Sequence, residues 1–460
     1  MFLYTRTYCE ITERSRSKFQ NTLLGVYYSD IFLNHGIYYC FSERKMSFFY
    51  NIFVNLLIFG MKVGAAFNYK LKRGLAGRKQ SCAKVKSSFS KADKVIWMHA
   101  ASLGEYEQGL PVLEELKFLF PQHKILVTFF SPSGYENVIK KNTIADVVCY
   151  LPFDKPSFIK DFTSNFTTDI FFTVKYDFWY HLLQELKNQH ARIYVVSAYF
   201  YETQIYFKPY GHWFVKQLKN NVNWIFHQTK HSTAIARQIG LVNSSTAGDT
   251  RFDRVKMLSE RNNHVDGISE FKNKETLIVF GSSWEKEERI AELIHAKAPD
   301  LKMIIAPHDL KRVDAIKKTF PKAVLYSNIN EHSLATLKDA SVLIIDCIGL
   351  LSKIYSYGNL AIVGGGFHSK GLHNILEAAT FGIPVFFGNQ YMKNPEADGL
   401  IAENGGKSFD DEFFAAPFIV DLLRRPEMLE EMGKCAYNFV HHQPNSTEII
   451  VKKIMSDFSY

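Results

Sequence analysis

Two α/β domains of similar size, each a parallel sheet wound by right-handed crossovers, are predicted for this chain. Three observations carry that prediction. A length of 460 residues calls for two or three domains, each long enough to bury a core. With 47% hydrophobic and 15% aromatic residues and only 14 prolines, the composition is that of a packed globular protein rather than a disordered or fibrous one. From residue 93 onward, short β-rich apolar runs alternate with helical stretches, and the pattern restarts after a polar interval at Val242 to Gly248.

The chain divides into segments at 1–45, 46–90, 91–247 and 248–460. Residues 1–45 are aromatic and mildly basic, without a clear period or the pattern of a cleavable signal peptide. We expect a mis-assigned start here, with Met46 as the true first residue. From Met46 to Met61 no charge occurs, and Ser47, Asn51, Asn55 and Lys62 fall on one narrow helical stripe. Such a run is marginal for a full span of about 20 residues and suits a helix lying in the membrane interface. A basic linker follows, with Lys70, Lys72, Arg73, Arg78, Lys79, Lys84 and Lys86. Residues 1–100 carry 16 Lys and Arg against 5 Asp and Glu, while the other 360 hold 39 against 41. The positive surplus is therefore N-terminal, beside the longest apolar run, which points to an anionic membrane surface rather than nucleic acid. A buried helix with a solvated basic loop is the alternative.

Strands of the first domain are expected at Val95–His99, Ile125–Phe129, Ala145–Tyr150, Asp169–Val174, Ile193–Ser197 and Trp224–His227. Those of the second are expected at Leu277–Phe280, Met303–Ala306, Ala323–Tyr326, Val342–Ile345, Leu360–Val363 and Val385–Phe387. Ligands of such sheets sit beyond the carboxyl ends of the strands, so the loops there are where chemistry is sought. After the first strand, Ala100 to Glu105 makes a small-residue turn that delivers a carboxylate to a helix start. Glu105 can point into a cleft, or simply complement the helix dipole. His99 by itself reads as a satisfied structural histidine. In the second half Gly364 to Gly371 offers bare amides and a helix start, a natural seat for phosphate. Neither Walker A nor Gly-x-Gly-x-x-Gly spacing is present, which disfavours P-loop hydrolysis and dinucleotide binding. A helix from about Asn374 to Gly382 would put Glu377 one turn from Asn374, placed to accept from ribose hydroxyls. The six cysteines (Cys9, Cys40, Cys82, Cys149, Cys347, Cys435) lie far apart with no CxxC pair, so no zinc site or disulfide framework is read and a reducing compartment is expected.

Taken in order, HAASLGE (His99 to Glu105), GDTRFDRV (Gly248 to Val255), GSSWEKEE (Gly281 to Glu288), APHDLKR (Ala306 to Arg312) and GLHNILEAATFGIPVFFG (Gly371 to Gly388) resemble the 3-deoxy-D-manno-octulosonic acid (Kdo) transferases, from about residue 46 to the C-terminus. The resemblance implies a GT-B glycosyltransferase: two Rossmann-like domains with an interdomain cleft, acceptor bound by the first and CMP-sugar by the second. It implies inverting transfer of Kdo from CMP-Kdo to a tetraacylated lipid A precursor in lipopolysaccharide biosynthesis, at the cytoplasmic face of a bacterial inner membrane. No cofactor is implied, CMP-Kdo being a substrate, and no metal cluster is visible.

Residue by residue, the family's general base falls on Glu105. Its Pro-Arg nucleotide contact falls on Pro307 and His308, losing the arginine. Its Met-Gly-Glu contact falls on Ile348, Gly349 and Leu350, losing the acid. Its Asn-Pro-Leu-Glu falls on Asn374, Ile375, Leu376 and Glu377, keeping both polar groups. A transition-state lysine falls on Arg251, and two acids of a Glu-Thr-Glu-Leu-Trp-Pro segment fall on Lys175 and Asp177. The set resembles a divergent branch in which Glu105, Asn374 and Glu377 survive. The rival expectations are another GT-B enzyme using a UDP-sugar, a nucleotide-sugar epimerase, or a membrane-docked nucleotide-binding module without turnover.

Overall fold

The computed structural model describes residues 45–140, 143–369, 371–392 and 394–458. The expected N-terminal extension, Lys45 apart, lies outside the described residues. Downstream stand two seven-stranded sheets, every strand pairing parallel to its neighbours. The first runs β3-β2-β1-β4-β5-β6-β7, built from β1 (Lys94–Ala100), β2 (Lys124–Phe129), β3 (Val147–Tyr150), β4 (Thr167–Val174), β5 (Arg192–Ala198), β6 (Trp224–His227) and β7 (Ser244–Thr246). The second runs β10-β11-β9-β8-β12-β13-β14, from β8 (Leu277–Ser283), β9 (Lys302–Pro307), β10 (Val324–Leu325), β11 (Val342–Ile344), β12 (Leu360–Val363), β13 (Val385–Gly388) and β14 (Gly406–Phe409). This is the GT-B arrangement of two parallel-sheet α/β units.

Each sheet is covered on both faces, which is why its strands read as unbroken apolar runs. Val95 and Trp97 of β1 enter one core, Ile96, Met98 and Ala100 the other. In β8, Leu277 and Val279 face one side and Ile278 and Phe280 the opposite side. Two edge strands, β7 and β14, fall outside the expected set. Both are short and polar: β7 lies inside the stretch read as a polar interval, and its Ser244 buries a hydroxyl that donates to the Leu241 carbonyl. Backbone pairing makes these strands, helped in β14 by Phe409 alone, which is buried against Phe386 and Phe418.

The sheets are joined by a linker helix, Thr250–Glu260, capped by the Asp249 carboxylate. Phe252 and Val255 of this helix belong to the second core. The chain does not stay there. The C-terminal helix Ser446–Ser456 crosses back, and Ile450, Val451 and Ile454 pack with Ile96, Met98 and Tyr194 of the first sheet. Asp253 of the linker helix steers that return by accepting the Thr447 amide and hydroxyl at 2.7 and 2.8 Å. The span 248–460 thus lends its last helix to the first domain.

Ahead of β1 lie two helices, α1 (Lys45–Gly64) and α2 (Tyr69–Ser88). Among the described residues α1 is the one helix long and apolar enough to cross a membrane by length and composition. One stripe docks it: Tyr50, Val54 and Ile58 pack with Trp213, and the Tyr50 hydroxyl donates to Asp154 Oδ2 at 2.6 Å. The other faces stay bare, with Phe53 56%, Leu56 63% and Phe59 65% exposed. The stretch expected as a basic linker is helical for a clear reason: Gly74, Arg78, Ser81 and Val85 recur at helical spacing and bury. Arg78 lies among the rings of Phe130, Tyr150 and Phe153 and donates to the carbonyls of Gly74 and Phe130.

Candidate active site

In a doubly wound sheet the cleft opens where the strand order reverses. That point lies between β1 and β4 in the first sheet and between β8 and β12 in the second. The loops leaving these four strands carry most of the residues singled out by sequence.

Beyond β1 the chain turns at Ser102 into helix α3 (Leu103–Leu119), with Glu105 in its first turn. Glu105 accepts the Ser102 amide at 2.9 Å and the Ser102 hydroxyl at 3.2 Å, both through Oε2, so Oε1 is the oxygen left to receive a proton. The carboxylate therefore caps the helix at the very point where the strand order of the first sheet reverses. Gly109 lets α3 sit low on the sheet: a Cβ there would lie 2.6 Å from Met98 Sδ and 2.9 Å from Val174 Cγ2. Burial and the neighbouring Asp177 charge raise the Glu105 pKa above its ordinary value, while Lys175 and the Ser102 hydrogen bonds pull it down. A Glu tuned upward is a stronger base than a surface carboxylate.

Lys175 and Asp177 follow β4, on the other side of the reversal. Lys175 holds a left-handed backbone at φ 65. Asp177 Oδ2 lies 2.6 Å from His99 Nε2. The structure thus brings Glu105, Lys175 and Asp177 together.

At the second reversal point the loops are stitched to each other. The buried Glu287 carboxylate accepts the Trp284 amide after β8 and the Gly365 amide after β12, each at 3.0 Å. Gly364 donates to the Gly281 carbonyl and Gly371 to the His368 carbonyl. Three amides expected as a phosphate seat are thus already bonded within the protein. The helix expected from Asn374 to Gly382 shrinks to one turn, Leu376–Ala379, so its dipole adds little. Asn374 and Glu377 do meet, Nδ2 donating to Oε1 at 3.2 Å. His308, after β9, stacks on Trp284 with ring centroids 4.6 Å apart and lies 4.6 Å from the His373 ring; His368 meets the same indole edge-on. Burial, aided by the other two imidazoles, pushes His373 down to about 4. Pro307 ends β9, and Ile348, Gly349 and Leu350 lie beyond β11, with Ile348 87% exposed. All nine expected donor-binding residues therefore lie along the carboxyl edge of one sheet.

Arg251 is elsewhere. Its guanidinium is spent between two carboxylates, Asp249 at 2.7 Å and Glu396 at 2.8 Å. Its neighbours form a seam with α3: Gln108 donates to Asp249 Oδ1 at 2.6 Å, Thr250 donates to the Gln108 carbonyl, and Arg254 pairs with Glu107 at 3.2 Å. Glu105 is thus two residues from the contact between domains. Sequence reasoning assigned no role to Glu287, His368 or His373 and did not foresee the His99–Asp177 contact. Trp284 and Glu287 lay inside the quoted GSSWEKEE, but a capping glutamate and an aromatic stack have no signature of their own.

Residues 74–254 match the family model described as 3-Deoxy-D-manno-octulosonic-acid transferase (kdotransferase). The 3-deoxy-D-manno-octulosonic acid transferase of Aquifex aeolicus is 28% identical over 343 residues, covering 74% of this chain and 88% of that protein. The enzyme of the same name from Chlamydia trachomatis serovar D is 25% identical over 364 residues, covering 76% and 83%. Among solved structures, the UDP-GlcNAc 2-epimerase of Neisseria meningitidis superposes with a TM-score of 0.55 at 16% identity, over 79% of this chain and all of that one, which shows the fold alone. The chain is a relative of the Kdo transferases and, by that kinship, a glycosyltransferase.

Proposed function

We propose, with kinship to the Kdo transferases as the premise, that this protein moves Kdo from CMP-Kdo to a tetraacylated lipid A precursor with inversion at the anomeric carbon. The observation that carries the reading is Glu105: one carboxylate of raised proton affinity at the strand-order reversal of the first sheet, two residues from the domain seam. Its Oε1 takes the proton of the acceptor hydroxyl as that oxygen attacks the anomeric carbon and the bond to the CMP phosphate breaks. Lys175 stabilises the ionised base and meets the anionic substrates. Asn374 and Glu377 present polar atoms to the ribose, and His308 on Trp284 stands where the family has an arginine. Arg251, held by two carboxylates, supports the seam rather than the leaving phosphate. No cofactor or metal enters this scheme. The bare apolar faces of α1 and the N-terminal basic surplus suit the cytoplasmic leaflet in which such an acceptor lies.

The test is turnover of CMP-Kdo with the tetraacylated precursor, products resolved by mass. Glu105→Gln should cost about 10²- to 10⁴-fold in kcat. CMP-Kdo should still raise its melting temperature, as a ligand bound only by the folded state does. Retained turnover in that variant would move the base elsewhere, and stabilisation by a UDP-sugar but not by CMP-Kdo would favour the rival transferase.

A further inference from the structure

We propose that His99 is a positioning residue: it anchors the Asp177 carboxylate on the loop after β4, across the strand-order reversal from Glu105. The inference rests on the reading of Glu105 as base. His99 is wholly buried near the end of β1, in register with Thr173 of β4. Its ring is fixed from behind, Nδ1 lying 3.1 Å from the Thr128 carbonyl and 2.9 Å from the Thr128 hydroxyl. That hydroxyl accepts the Trp97 indole N–H at 2.8 Å. In front, Nε2 meets Asp177 Oδ2 at 2.6 Å. A chain of contacts therefore runs from the core, through β1 and β2, to a single carboxylate on the loop after β4. The backbone of that loop is tied elsewhere, Lys175 donating to the Val196 carbonyl and Thr173 to the Asp177 carbonyl, so His99 is the group that fixes the Asp177 side chain, which is itself 22% exposed.

Two carboxylates across one strand-order reversal repel, and the one on a loop is the one that yields. Around Glu105 stand Asp177, Lys175 and Tyr176; around Asp177 stand His99, Tyr50 and Tyr206. Lys175 is the cation that opposes the Asp177 charge at Glu105. Holding Asp177 in place keeps Glu105 a stronger base; releasing it lets the pair separate. A histidine that merely filled the core would leave Glu105 titrating as before.

The experiment compares the full-length protein with His99→Leu, His99→Gln, Asp177→Asn and the double variant His99→Leu/Asp177→Asn. Two readouts are taken: the pH profile of kcat/KM, and the titration of the Glu105 carboxyl followed by carbon-13 NMR. Asp177→Asn and His99→Leu should both move the Glu105 titration and the acid limb to lower pH. His99→Leu should also lose about 10- to 100-fold in kcat/KM through misplacement. His99→Gln, which keeps a donor, should shift less, and the double variant no more than Asp177→Asn. The proposal is overturned if the limb stays put or moves up in His99→Leu, or if the two shifts add. Should His99→Leu fail to fold, the ordering of His99→Gln against Asp177→Asn decides. The titration needs no substrate, so a wild-type protein that leaves CMP-Kdo untouched defeats the proposed function while this inference is still judged by NMR.

Discussion

At the scale of single residues, the site depends on opposed charges around Glu105. Lys175 lowers the proton affinity that burial and Asp177 raise. The base works ionised, so activity rises as pH climbs through the Glu105 pKa. Lys175→Met removes the lowering charge, and we expect the acid limb of kcat/KM to move to higher pH, opposite to Asp177→Asn; a pH series under limiting substrate checks this. Arg251 makes a different prediction. Its removal leaves Asp249 and Glu396 facing each other without a cation. Arg251→Ala should cost about 3–5 kcal/mol in urea unfolding. Burial pushes the Asp249 pKa up, but the Arg251 charge and the Arg251 and Gln108 hydrogen bonds outweigh it and hold the group low. The stability this gives is present above the unfolded pKa and lost as pH falls through the folded one. Arg251→Ala should therefore also flatten the acid dependence of unfolding.

At the scale of elements, α3 sets the position of the base, and Gly109 sets α3. A methyl group at that position meets Met98 and Val174 below van der Waals distance. Gly109→Ala should lift the helix, cost about 1–3 kcal/mol in thermal melts and lower kcat more than KM. α1 poses the converse case, an element whose apolar surface is left uncovered. Phe53→Asp with Leu56→Asp changes faces away from the docking stripe of Tyr50, Val54 and Ile58. Association with anionic liposomes should fall sharply while the melting temperature of the two domains holds; unchanged association would remove α1 from the membrane reading. Period and burial separate the two helices cleanly. The apolar run of α1 and the small-residue spacing of α2 were both in the sequence, but charge density made α2 look like a loop.

At the scale of the molecule, two parallel sheets place their reversal points at carboxyl ends, and every expected site residue except Arg251 lies along such an edge, at a strand end, in a loop or in the first helical turn after it. The two α/β domains and their buried strands were legible in the sequence because apolar runs are local properties, whereas Glu105, Asn374 and Glu377 were singled out through the resemblance of their motifs to the Kdo transferases. The sequence could not show β7 and β14, short strands held by backbone pairing with too few apolar residues to form a run. Nor could it show that Arg251 is consumed by Asp249 and Glu396, that Glu287 takes up the Gly365 amide, or that the last helix returns to the first core. Those depend on which groups meet across 78 to 355 positions of chain: His99 with Asp177, Arg251 with Glu396, Ile96 with Val451. A charge's role is fixed by its partners, and partners so distant in sequence become neighbours only when the sheets close.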